Sequence, residues 1–103
     1  MIDYCKKATI FKALGDQKRV MIIDMLSGGE LCACDILEKF NISQSTLSHH
    51  MKILCESGLV RKREQGKWTY YSLNKVGIER LNQVLTEVFS INMSNNQGQK
   101  NMP

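Results

Sequence analysis

Two short apolar-striped segments separated by a brief turn constrain this chain more than any other feature. In the first, Ala33, Ile36, Leu37 and Phe40 recur at i, i+3, i+4 and i+7, along one side of a helix running from about Ala33 to Phe40. Asn41-Ile42-Ser43 interrupts that pattern, and the Ser43 hydroxyl is placed to cap a further helix that continues to Gly58. Two short helices joined by so short a turn describe a helix-turn-helix.

The flanking segments extend this plan. A first helix is expected from about Asp3 to Leu14, closed by Gly15, and Asp16 is a suitable N-cap for a second that carries Val20, Ile22, Ile23 and Leu26. Ser27-Gly28-Gly29 stops it. Leu59 to Glu64 and Lys67 to Leu73 read as two strands around Gln65-Gly66, with Tyr71 and Leu73 turned to the core and Trp68 and Tyr70 to the other face. Asn74 is expected to cap a last helix with Val76, Ile78, Leu81, Val84, Leu85, Val88 and Phe89 on its apolar side. That side is larger than a terminal helix on a 103-residue chain needs, which makes it a candidate dimer seam. The expected fold is mainly α with a small β-hairpin: a dimeric winged helix-turn-helix of about five helices, spanning residues 1–91. Residues 92–103, rich in Asn and Gln, are expected to form a disordered polar tail.

On a wheel of about 3.6 residues per turn the fourth helix has two faces. Leu47, Met51 and Leu54 form its buried stripe; Ser45, Ser48, His49, Lys52 and Glu56 lie opposite, and Gln44 projects from the first turn. Small hydroxyl and amide side chains at such a helix start allow close approach to base edges. Ser and Gln on a helix are often merely solvated, but the turn, the hairpin and a nearby basic cluster favour a DNA-reading face. His49 points outward as a DNA contact, whereas His50 sits at the edge of the apolar stripe as a half-buried, hydrogen-bonded residue. Arg61, Lys62, Arg63 and Lys67 on the hairpin suit phosphate or minor-groove contacts, or a solvated strand surface. A formal net charge of +4 is consistent with an anionic partner.

No apolar run approaches a membrane span and the N-terminus lacks a signal-peptide core, so a cytoplasmic protein without a membrane partner is expected. In that compartment four cysteines point to metal or redox chemistry rather than a disulfide framework. Cys32 and Cys34 are soft donors suited to thiophilic ions. Residues two apart on a regular helix diverge by about 200°, so joint coordination would require the first turn to be distorted or unwound. A third sulfur is wanted. Cys5 on the first helix is the favoured candidate, while Cys55 lies beside the buried stripe and reads as structural.

Taken together, Ala13-Leu14-Gly15-Asp16-Gln17-Lys18-Arg19, Gly29-Glu30-Leu31-Cys32-Ala33-Cys34-Asp35-Ile36-Leu37 and Ser43-Gln44-Ser45-Thr46-Leu47-Ser48-His49-His50-Met51 resemble the ArsR/SmtB family of metal-responsive repressors, its arsenic sensors in particular. The resemblance implies a homodimer formed by the first and last helices and bound to a palindromic double-stranded operator. It also implies that trivalent arsenic or antimony, held by Cys32 and Cys34, releases the DNA; no organic cofactor is expected. Leu37 stands where some members carry a further cysteine, leaving the third donor to Cys5, a thiol of the other protomer, or a non-protein ligand. The last helix lacks the His and acidic pairs of the family's zinc sensors. Competing readings are a sensor of cadmium, lead or bismuth, a thiol redox sensor on the same fold, and a thiol or metalloid transfer enzyme. The last fits poorly, since Cys-x-Cys is not the Cys-x-x-Cys of thioredoxin-like proteins.

Overall fold

The computed structural model describes residues 3–90; the expected polar tail at 92–103 lies outside them. Five helices and three strands follow in the order α1 (Tyr4–Leu14), α2 (Gln17–Leu26), β1 (Leu31–Cys32), α3 (Ala33–Lys39), α4 (Gln44–Glu56), β2 (Val60–Gln65), β3 (Trp68–Leu73) and α5 (Lys75–Val88). The winged helix-turn-helix plan holds. Asp3, Asp16 and Ser43 each accept a backbone N–H with the side chain, satisfying donors that a helix start leaves unpaired. Asn74 occupies the N-cap position of α5, but its side chain makes no capping bond.

The sheet departs most from expectation. It has three strands in the order β1-β3-β2, all antiparallel, because Leu31 and Cys32 pair with Tyr71 and Tyr70 on the free edge of the hairpin. The hairpin register also differs by one residue. Gln65 pairs with Trp68, so the two-residue loop is Gly66-Lys67 rather than Gln65-Gly66. Gly66 has φ +61°, and tight hairpins that need one positive φ place glycine at the first loop position.

Ile22, Ile36, Leu47, Met51, Leu54 and Leu59 are the largest fully buried side chains and join α2, α3, α4 and the residue leading into β2 in one core. Ile36 is the fully buried member of the α3 stripe. Tyr71 seals the sheet side of the core. Where α5 crosses the end of α4 the backbones touch: a Cβ on Gly77 would lie 1.7 Å from the Gly58 carbonyl oxygen. No helix among the described residues is long and apolar enough to cross a membrane.

Candidate thiol site and nucleic-acid interface

The thiol pair is built differently from a helical Cys-x-Cys. Cys32 is the N-cap of α3, extended at φ −82° and ψ 160°, and only Cys34 lies on the helix. The expectation that α3 must unwind is therefore wrong. A cap residue has strand-like dihedrals, and that turn of the backbone brings the two sulfurs together, with the Cα atoms 5.3 Å apart and the sulfurs bonded as a disulfide. A capping box holds the arrangement: the Asp35 N–H donates to Cys32 Sγ at 3.3 Å, and the Cys32 N–H donates to Asp35 Oδ2 at 3.1 Å. Cys32 is buried and Cys34 exposed, so one sulfur is anchored and the other accessible.

The ligand atoms of Cys32, Cys34 and Asp35 lie within 4.8 Å of one another, the one such group among the described residues. Two soft sulfurs dominate that set, so it fits a thiophilic ion better than a hard cation. Cys5 is exposed on α1 and is not part of this group within the chain. Cys55 packs against the core, where burial pushes its thiol pKa up, as suits a structural cysteine.

The recognition helix α4 presents the faces its sequence called for. Leu47, Met51 and Leu54 are buried, and Gln44, Ser45, Ser48, His49 and Lys52 are exposed. His50 is 7% exposed and faces the Arg19 guanidinium, with Nη1 3.2 Å from its Nδ1. Burial holds its pKa below the ordinary histidine value, against the opposing pull of Asp16. Ser48, Lys52 and Lys62 border a groove between α4 and β2, closed behind by Tyr71 and Cys55. On the wing, Arg61, Lys62, Arg63 and Lys67 are exposed. They differ in engagement: Arg63 donates to both carboxylate oxygens of Glu30, at 3.0 and 2.8 Å, while Lys62 pairs with Glu64 at 3.3 Å.

A basic wing packed beside a capped recognition helix is the anatomy of a DNA-binding regulator, and comparison with known proteins agrees. The pattern that defines the arsR family of bacterial regulatory proteins matches residues 16–62. The arsenical resistance operon repressor of Staphylococcus xylosus is 49% identical over 84 residues, covering 82% of this chain and 81% of that protein. The protein of the same name from Staphylococcus aureus is 46% identical over 94 residues, 91% of this chain and 88% of the relative. This chain belongs to the ArsR family. A solved structure of another ArsR family transcriptional regulator superposes with a TM-score of 0.74 at 25% identity, covering 84% of this chain and 91% of that one. The relatives are transcriptional regulators, which sets aside the transfer-enzyme reading.

Within this ArsR fold two residues near the site escaped sequence reading. Glu30 and Tyr70 both meet Arg63, whose guanidinium carbon lies 4.4 Å from the Tyr70 ring centroid. Their roles depend on β1, and two residues carry no periodicity from which a strand is read. Cys34 borders a groove with Leu37, Gln44, Lys67 and Trp68, so the accessible sulfur lies beside the first turn of α4 and the wing tip.

Proposed function

We propose that this chain is a dimeric, metalloid-responsive transcriptional repressor. As a homodimer it binds a palindromic operator through Gln44, Ser45, Ser48, His49 and Lys52 of α4, with Arg61, Lys62, Arg63 and Lys67 of the wing on the phosphates. Trivalent arsenic or antimony, held by Cys32 and Cys34, releases it. The observation that carries this reading is the placement of the cysteine pair: Cys32 caps α3 and pairs with β3 of the wing sheet, while Cys34 lies on the first turn of α3 with its sulfur against that of Cys32. Names of relatives that describe arsenical resistance operon repressors support the choice of effector.

Cys32 and Cys34 would hold the ion as thiolates, and bound trivalent arsenic supplies strong, directional bonds to sulfur. The chain's own part is to present one anchored and one accessible thiol and to let their displacement reach α4 and the wing. Cys5 is proposed as the third donor, from the other protomer, since within one chain it stands apart from the pair. The Cys32–Cys34 disulfide favours one second reading, a redox sensor in which a peroxide takes two electrons from the paired thiols.

A titration of labelled operator DNA separates the two. For the reduced protein, arsenite releases DNA while a peroxide leaves it bound if the first reading holds. Release by peroxide with indifference to arsenite selects the second.

A further inference from the structure

The sheet register lines up the thiol site and the wing in a single row. Cys32 on β1 is paired with Tyr70 on β3, and Tyr70 with Arg63 on β2. Directly paired residues in antiparallel strands project to the same face, so the Cys32 sulfur, an aromatic ring and a wing guanidinium follow one another across the sheet. Arg63 lies over the Tyr70 ring at 4.4 Å, a cation–π distance. Its fork returns to Glu30, two residues before Cys32, through Nε at 3.0 Å and Nη2 at 2.8 Å, and Nη1 reaches Gln65 at 2.7 Å. The loop is closed: Glu30 leads by the backbone to Cys32, across the sheet to Arg63, and back to Glu30.

We propose that Glu30 is the positioning residue that transmits occupancy of the Cys32–Cys34 site to the DNA-binding wing, through its two-pronged hold on Arg63. This rests on the reading of the chain as a metalloid-responsive repressor and names the path its response takes. Three observations carry it. Cys32 cannot shift without moving β1, because the same residue pairs with Tyr70 and caps α3. The Glu30–Arg63 contact joins β1's approach directly to β2, bypassing the intervening strand. Arg63 also sits between Arg61 and Gln65, so its anchorage fixes the outer face of the wing. An exposed ion pair adds little to stability by itself, but a two-pronged arginine–carboxylate contact fixes direction as well as distance. Losing it therefore affects communication more than folding.

The test compares reduced wild type with Glu30→Gln, a residue outside the proposed DNA-contact set. Operator affinity is measured with and without arsenite, and arsenite affinity of the free protein is followed by thiolate–arsenic absorbance. The ratio of the two operator dissociation constants falls by about threefold or more in Glu30→Gln, while free-protein arsenite affinity and arsenite-free operator affinity stay within about twofold of wild type. Adding Arg63→Gln to Glu30→Gln changes the ratio no further, as expected for two residues acting through one contact. An unchanged ratio in Glu30→Gln overturns the proposal, as does a fall explained wholly by weaker arsenite binding. A wild-type ratio of one overturns the metalloid reading itself, and this path with it.

Discussion

At the scale of single residues, Cys32 is the position where the fold and the proposed response meet. Its sulfur caps α3 by accepting the Asp35 N–H, a task that serine performs well. Cys32→Ser/Cys34→Ser is therefore expected to fold, to bind the operator within about threefold of wild type, and to ignore arsenite. Operator binding by fluorescence anisotropy checks this, and loss of folding in the variant would show the thiols to be structural instead. The wheel does not apply to the pair for a specific reason: the helix begins at Ala33, as its apolar stripe indicated, and Cys32 ahead of it has the extended dihedrals of a cap. His50 supports a second prediction. Burial against Arg19 lowers its pKa in the folded state, so below the ordinary histidine value of about 6.5 the unfolded chain binds more protons. Stability is then lost as the pH falls through that value toward the folded pKa. Urea unfolding should show wild type losing more stability than His50→Gln between about pH 7.5 and 5.5. Equal losses would remove His50 as the cause.

At the scale of elements, the helices were legible from their apolar stripes, and α2 and α4 from their caps as well. Asp16 and Ser43 form the caps their positions suggested, Asp3, read as the first residue of its helix, is instead its cap, and Leu47, Met51 and Leu54 are buried as spaced. Asn74 shows that the cap signal alone is insufficient. What could not be read was β1, which exists only because β3 offers an unpaired edge to the chain entering α3. The crossing of α5 over Gly58 is likewise a tertiary fact, with no mark in the sequence beyond the two glycines. Gly77→Ala would drive a methyl into the Gly58 carbonyl oxygen, a contact relieved only by moving backbone. Despite the better helix propensity of alanine, it is expected to destabilise by about 1–3 kcal/mol, read from denaturant midpoints. A neutral or stabilising result would mean that α5 does not pack this closely. Removing the α4 cap with Ser43→Ala is expected to cost about 1 kcal/mol by the same measurement.

At the scale of the whole molecule, the apolar side of α5 continues past the core of one chain. Val84 is buried, but Val88 and Phe89 are exposed at 48% and 67%, and Tyr4 on α1 at 71%. Lys7 and Glu87 pair between the same two helices and hold them as one surface. A proposed dimer through α1 and α5 covers these side chains, so Phe89→Glu is expected to give a monomer by sedimentation equilibrium and to lose operator affinity at least about tenfold. A dimer that survives the substitution would place the seam elsewhere. The most direct measurement of the central claim uses reciprocity, since two ligands that expel one another must do so by equal factors. Arsenite affinity is measured by calorimetry for the reduced free protein and for the same protein saturated with operator DNA, alongside operator affinity with and without arsenite. The operator is predicted to weaken arsenite binding by the same factor by which arsenite weakens operator binding, and Cys32→Ser/Cys34→Ser is predicted to show neither effect. Arsenite binding equally well to free and operator-bound protein would contradict a metalloid-released repressor.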